Sequence, residues 1–139
     1  MERRILLVED EAPLREVVAE QLTDRGFHVE QAASGEEAID RLSAFAFDIL
    51  ITDLRLGDGD GLELLAAARG RNAELVAVVI TGHGSVESAV RAMKAGACDY
   101  LQKPFLNEEV LARIERVLEH KYFVDEGYDR AIVQPLVGL

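Results

Sequence analysis

The chain has 139 residues, with 15 basic and 26 acidic side chains, a formal net charge of −11 and a single cysteine. This length predicts one domain with a hydrophobic core of its own. The acidity argues against direct nucleic-acid binding, which draws most of its affinity from lysine and arginine on phosphates. No apolar run approaches the ~18–20 residues that span a membrane, and no secretion signal begins the chain, so we expect a cytoplasmic protein without membrane contact. Cys98 has no partner for an internal disulfide, and its apolar neighbours predict a buried thiol.

Predicted strands, of which the first and third are continuous apolar runs, alternate with helical patterns along the chain. A continuous run, rather than an alternating one, is typical of a strand that is covered on both faces. The predicted strands are Arg4–Glu9, Phe27–Ala32, Phe47–Thr52, Leu75–Thr81 and Ala97–Gln102.

A helical pattern follows each predicted strand. The residues that signal where these helices begin or end are Pro13, Gly26, Ser34 with Glu37, Leu62, Gly96 and Asn107. Their apolar residues are Leu14, Val17, Val18 and Leu22; Ala38, Ile39 and Leu42; Leu62, Leu65 and Ala66; Val86, Ala89, Val90 and Met93; and Val110, Leu111, Ile114, Val117 and Leu118. This alternation predicts an α/β fold in which right-handed crossovers place helices on both faces of a parallel sheet. Residues 1–121 form the predicted domain, and residues 122–139, where the periodicity lapses, are predicted to be a linker or tail.

Polar residues stand where four of the apolar runs end. They are Glu9 with Asp10, then Asp53, Thr81 and Lys103. Ligands of a parallel sheet collect beyond the carboxyl ends of its strands, so we expect these side chains to converge. Three neighbouring acids repel one another unless a cation lies among them, and Mg²⁺ prefers such oxygen ligands. Asp53 is therefore a predicted phosphoacceptor, with Lys103 and Thr81 stabilising the phosphoryl oxygens.

Two other polar residues near the ends of predicted strands are not assigned a direct part in phosphoryl transfer. Glu11 is expected to be a helix cap or a solvated loop residue. His83, in a Gly-His-Gly loop, is expected to be a modulator at most.

Four motifs occur in order: Val8-Glu-Asp-Glu, Thr52-Asp-Leu-Arg-Leu, Ile80-Thr-Gly-His-Gly and Asp99-Tyr-Leu-Gln-Lys-Pro-Phe. From Arg3 to about Lys121, the chain resembles the receiver domain of two-component response regulators, most closely those of NtrC-like and FixJ-like transcription regulators. The resemblance implies a flavodoxin-like, doubly wound sheet of five parallel strands in the order 2-1-3-4-5.

The resemblance also implies how such a domain works. Asp53 would receive a phosphoryl group from a sensor histidine kinase or a phosphotransfer protein. Mg²⁺ would bind at Glu9, Asp10, Asp53 and the backbone carbonyl of Arg55. Thr81 would then move toward the phosphoryl group while Tyr100 turns inward, which reshapes the surface of the fourth helix, fifth strand and fifth helix. The charges on that surface make it a hypothetical homodimer interface.

Two residues depart from the pattern of the family. Glu9 replaces the commoner aspartate of the acid pair, so its coordination is either direct or through water. Gly57 stands where proline is usual, which predicts a more mobile loop after Asp53.

Other functions fit the sequence less well. An aspartyl phosphatase would place Asp-x-Asp after the first strand, and a nucleotide-binding domain would need glycine in its first turn. An EF-hand calcium loop fails at Leu56 and Ala67, where acids are required. The intact acids, Thr81 and Lys103 argue against a pure interaction module. We therefore expect a signalling domain rather than an enzyme, as part of a longer transcription regulator or, alternatively, as a stand-alone receiver that acts through protein–protein contacts.

Overall fold

The computed structural model describes residues 3–56, 59–82, 86–105 and 107–122. The strands in this part of the chain are β1 (Arg4–Val8), β2 (His28–Ala32), β3 (Ile49–Asp53), β4 (Arg55–Leu56), β5 (Gly59–Asp60), β6 (Val76–Thr81) and β7 (Asp99–Gln102). The helices are α1 (Ala12–Asp24), α2 (Gly35–Ala44), α3 (Gly61–Arg71), α4 (Val86–Lys94) and α5 (Asn107–Tyr122). The interpretations of Gly57, His83 and residues 123–139 fall outside the described residues.

Five of these strands form one parallel sheet in the order β2-β1-β3-β6-β7. Numbered along the chain within this sheet, the order is 2-1-3-4-5, so the predicted topology is confirmed. The other two strands, β4 and β5, pair antiparallel as a separate hairpin directly after Asp53. The sequence predicts only a loop after Asp53, because strands of two residues are too short to show a period.

Alternate residues of the sheet face two separate cores, as the pleat of a strand requires. On one face, Leu6, Leu50 and Val79 pack in a cluster that includes side chains of α2, α3 and α4. On the other face, the cluster contains Ile51 and Val78 with side chains of α1 and α5. Every residue of β3 and of β6 is buried, as expected for apolar runs covered on both faces. The edge strands β2 and β7 are only partly buried.

Four strands begin one or two residues later than predicted, at His28, Ile49, Val76 and Asp99. Phe47 shows the reason. It is 3% exposed, yet it precedes β3, and its carbonyl oxygen accepts a hydrogen bond from the Asn72 side chain at 3.0 Å. Burial extends beyond the end of a strand into the adjoining turn, so an apolar run overstates strand length.

Most of the predicted helix termini are confirmed. Gly26 and Gly96 follow α1 and α4 with φ angles of +96° and +108°, the left-handed conformation in which glycine lacks a Cβ penalty. At α2 the Ser34 hydroxyl accepts from the N–H of Glu37 at 3.1 Å, while the Glu37 carboxylate accepts from the N–H of Ala33. Asn107, predicted as a cap, is the first residue of α5, and its side chain lies outside the description.

Some residues assigned to apolar stripes are exposed. The exposed fraction is 40% for Val17, 43% for Ile39, 44% for Val90 and 46% for Met93. Periodicity locates a stripe on a helix, but its exact direction depends on how the helix docks on the sheet. The helix α4 is the clearest case, because the described side chains that it buries are the small ones of Ala89 and Ala92.

The prediction of a buried thiol at Cys98 is wrong. Cys98 is exposed. It precedes β7, where its N–H donates to the carbonyl of Ala77 at 2.7 Å, and it lines a cavity of about 530 Å³ at that end of the sheet. Ala97 and Leu101 in the same stretch are buried, whereas Cys98 lies against the cavity.

Among the residues with assigned structure, no helix combines the length and apolar character that crossing a membrane requires.

Candidate functional site

The register of the sheet brings the predicted polar residues to one edge. Val8 pairs with Thr52, so Glu9 and Asp53 come next on neighbouring strands. Thr81 pairs with Gln102, which places Lys103 one residue beyond that pair on the next strand. Residues far apart in sequence therefore meet at the carboxyl ends of four strands, where parallel sheets bind ligands.

Three acids form a cluster at this edge. One carboxylate oxygen from each of Glu9, Asp10 and Asp53 lies within 4.8 Å of the other two. Glu9 is 1% exposed and Asp53 6%, whereas Asp10 is exposed. Glu9 Oε1 is buried and accepts no hydrogen bond from the residues that the structure describes. Hard oxygen donors in this arrangement fit a magnesium ion.

Lys103 contributes the positive charge of the site. Its ammonium nitrogen lies 2.8 Å from Asp53 Oδ2, 3.0 Å from Glu9 Oε1 and 3.2 Å from Glu11 Oε1. The hydrogen bond to Glu9 is made with Oε2 at 3.2 Å, because Oε1, although nearer, is not aligned to accept one. Burial by itself would lower the pKa of Lys103, but hydrogen bonds and charges from Asp53 and Glu9 outweigh it and raise the pKa above its usual value. The lysine is therefore charged at physiological pH.

Glu9 shows the opposite balance. Burial raises the pKa of its carboxyl group, and the N–H of Glu11, which donates to Oε2 at 3.0 Å, and the nearby Lys103 offset this only in part. A desolvated carboxylate gains more than an exposed one from a cation placed beside it. The protein thus holds an acid at the end of β1 that favours a positively charged partner.

Asp53 is positioned by contacts with both of its carboxylate oxygens. Oδ1 accepts from the N–H of Arg55 at 3.0 Å, and Oδ2 accepts from Lys103. The N–H of Leu54 donates to the carbonyl of Ile80 at 2.7 Å, which ties the segment after Asp53 to β6. These bonds fix the orientation of a nearly buried nucleophile candidate.

Gly61, the first residue of α3, permits this arrangement. A Cβ atom at this position would overlap the backbone oxygen of Asp53. Gly61 is a site residue that the sequence pattern did not predict, and its place in the run Asp58-Gly-Asp-Gly was the available signal. Its absent side chain allows α3 to begin directly against the acidic strand end.

The other predicted site residues are Thr81, Tyr100 and Arg55. Thr81 is buried at the end of β6, and its carbonyl accepts from the N–H of Lys103 at 2.8 Å. Tyr100 is 37% exposed on β7, where its carbonyl accepts from Arg113 of α5 at 3.0 Å. Arg55 contributes an N–H to Asp53, and the role of its carbonyl as a metal ligand stays a prediction.

Two further residues contact the site without having been predicted to do so. Glu11 reaches Lys103 rather than capping α1. Arg15, one turn into the same helix, donates to the carbonyl oxygen of Glu9 at 2.8 Å. Neither residue ends an apolar run, so the signal that identified the other polar groups was absent for both.

Comparison with known proteins agrees with this geometry. Residues 5–115 match the family model described as response regulator receiver domain. The chain belongs to this family. The receiver fold inferred from the motifs is therefore confirmed, and the chain is a receiver domain of the two-component response regulators.

One curated relative and two solved structures show how similar the receiver domain is to known members of the family. It is 41% identical over 129 residues to the transcriptional regulatory protein FixJ of Rhizobium meliloti (strain 1021), a match that covers 90% of this chain and 61% of FixJ. The BeF3-activated receiver domain of DrrB is 30% identical, with a TM-score of 0.79 over 86% of this chain and 99% of that one. NtrX from Brucella abortus is 34% identical, with a TM-score of 0.83 over 93% of this chain and 30% of NtrX. The receiver domain therefore spans less than two thirds of FixJ and under a third of NtrX.

Proposed function

We propose that Asp53 accepts a phosphoryl group from a sensor histidine kinase or a phosphotransfer protein, and that this modification switches the conformation of the receiver domain. The observation that carries the proposal is the 2.8 Å contact between the Asp53 carboxylate and the Lys103 ammonium beside two further acids. A buried carboxylate next to a fixed cation suits nucleophilic attack on an anionic phosphorus centre.

The residues of the chain divide the work of the transfer. One carboxylate oxygen of Asp53 forms the new bond to phosphorus, and the bond from phosphorus to the donor breaks, so its electron pair leaves with the donor. The ammonium of Lys103 stabilises charge on one phosphoryl oxygen, and the hydroxyl of Thr81 donates to another. The N–H of Arg55 keeps the carboxylate oriented throughout.

Glu9, Asp10 and Asp53 would hold Mg²⁺, with the Arg55 carbonyl as a further ligand. When bound, the cation supplies positive charge to the phosphoryl oxygens. The clustered carboxylate oxygens and the buried Glu9 Oε1 without a hydrogen bond from the described residues support this assignment.

Thr81 and Tyr100 are the proposed switch residues. Phosphorylation adds charge and strong hydrogen-bond acceptors next to Thr81, which draws its hydroxyl inward and changes packing toward Tyr100. The surface of α4, β7 and α5 is the proposed homodimer interface, because Val90, Met93 and Tyr100 are exposed there.

The wider role follows from the relatives. FixJ is a transcriptional regulatory protein, and we propose that this receiver domain controls such an output in a longer protein of the cytoplasm. A stand-alone receiver that acts through protein contacts is the alternative. Reading the gene beyond Leu139 distinguishes the two.

Mass spectrometry tests the central proposal. Incubation with acetyl phosphate and Mg²⁺ is expected to add one phosphoryl mass to the wild type and none to Asp53→Asn. Asp24→Asn, which changes an exposed acid at the end of α1, is the control and should be labelled like the wild type. Equal labelling of Asp53→Asn and the wild type would reassign the acceptor, and an unlabelled wild type would leave an interaction module as the better description.

A further inference from the structure

Glu11 occupies the N-cap position of α1 without performing the usual role of a cap. Its side chain makes no capping hydrogen bond. Serine, threonine, aspartate and asparagine are preferred at this position, since their short side chains reach the free N–H groups of the first turn. The longer side chain of Glu11 instead extends to the ammonium of Lys103, at 3.2 Å.

The contact between Glu11 and Lys103 forms at the solvent-facing part of the site. The Glu11 side chain is 63% exposed, compared with 8% for Asp53 and 1% for Glu9, the other two acids around the same ammonium. The backbone of Glu11 is held in place because its N–H donates to Glu9 Oε2 at 3.0 Å. A phosphodonor that arrives from solvent therefore approaches Lys103 next to the exposed charge of Glu11.

We propose that Glu11 slows phosphorylation by small anionic donors, because its carboxylate competes with the incoming phosphoryl oxygens for Lys103. The inference rests on the proposed roles of Asp53 and Lys103. No bond forms to Glu11 during transfer. Its ion pair with Lys103 opens, the ammonium turns to the phosphoryl oxygens, and Asp53 displaces the donor's leaving oxygen from phosphorus.

The rate of labelling by acetyl phosphate tests this competition. Measured at saturating Mg²⁺ and low ionic strength, Glu11→Gln is expected to react about two- to five-fold faster than the wild type, the range that an exposed ion pair provides. Glu20→Gln removes the same charge from an exposed position on α1 and should match the wild type. Raising the salt concentration to about 1 M shortens the screening length to about 3 Å and should reduce the advantage of Glu11→Gln.

A second variant separates charge from helix stability. Glu11→Ser also removes the carboxylate, but it places a favourable cap on α1. If charge is the cause, both variants react faster by similar factors, and both bind beryllofluoride, a phosphoryl mimic, more tightly in the presence of Mg²⁺.

Several outcomes would overturn the inference. Rates for Glu11→Gln that equal or fall below the wild type, or an advantage that persists at high salt, would exclude competition for Lys103 while leaving phosphorylation of Asp53 intact. A wild type that takes up neither a phosphoryl group nor beryllofluoride would instead remove the proposed function, and the role of Glu11 with it.

Discussion

Lys103 Nζ lies 2.8 Å from Asp53 Oδ2, and this contact joins the carboxyl ends of β7 and β3 across the intervening strand β6. The same ammonium lies 3.0 Å from Glu9 at the end of β1. One lysine thus offsets the charge of two buried acids on two different strands. Removing the Lys103 side chain should therefore lower both the free energy of unfolding and the rate of phosphoryl transfer.

Replacing Lys103 with methionine is expected to lower the free energy of unfolding by about 3 kcal/mol in EDTA, because two buried carboxylates lose their counter-ion. Mg²⁺ should restore part of this loss, since it supplies positive charge at the same place. Urea denaturation with and without Mg²⁺ measures both effects. Lys94→Met, which removes an exposed charge from α4, should change stability by less than about 0.5 kcal/mol. If Lys103→Met lowers the free energy of unfolding equally in EDTA and in Mg²⁺, then Mg²⁺ does not replace the charge of the Lys103 ammonium at this site.

In Thr81→Ala, Asp53 is expected to bind beryllofluoride as before. Binding should no longer change the environment of Tyr100. The buried hydroxyl is the group that would follow the phosphoryl oxygens inward. Amide NMR shifts measure the coupling: the Tyr100 signal should move in the wild type and stay in place in Thr81→Ala. Thr23→Ala loses a hydroxyl that bonds to the carbonyl of Ala19 within α1, and it should respond like the wild type. A full Tyr100 shift in Thr81→Ala would exclude Thr81 from the switch.

Gly61→Ala is expected to be destabilising and to impair phosphorylation together. The added Cβ overlaps the Asp53 carbonyl, so the backbone at the acceptor must shift. Overpacking of this kind costs about 1–3 kcal/mol. Thermal unfolding and labelling by acetyl phosphate are the two measurements. Normal labelling in a destabilised variant would mean that the shift is absorbed by α3 rather than by Asp53.

Gly26 and Gly70 form a matched pair, because a Cβ at either position meets no atom within 4 Å. They differ in backbone conformation. Gly26 has a φ angle of +96°, so Gly26→Ala is expected to lower the free energy of unfolding by about 1–2 kcal/mol. Gly70 lies within α3, so Gly70→Ala should raise that energy by about 0.4–1 kcal/mol. Chemical denaturation measures the free energy of unfolding of both variants. If both are more stable than the wild type, the positive φ angle does not disfavour alanine at position 26.

The polar and charged residues of the site could be predicted because they stand at the ends of strands. Glu9, Asp53, Thr81 and Lys103 each follow or terminate an apolar run, and the parallel register then fixes where they meet. Such a pattern is visible without knowing any side-chain conformation.

The contact of Glu11 with Lys103 could not be predicted in this way. The two residues are separated by 92 positions, and their contact depends on both the strand register and the direction of an exposed side chain. The exposure of Cys98 escaped prediction for a related reason. Ala97 and Leu101 in the same stretch are buried, but the sequence pattern does not reveal that Cys98 between them is exposed.

The small buried side chains of α4 have a consequence for how a conformational change could spread from the site. Burying a methyl group contributes about 0.8 kcal/mol, so Ala89 and Ala92 hold this helix to the sheet far less strongly than fully buried Ile114 and its neighbours hold α5. Among the side chains that the structure describes, displacing α4 would expose little apolar surface to water. Judged by these side chains, rearranging the helix that follows Thr81 has a lower free-energy cost than rearranging α5.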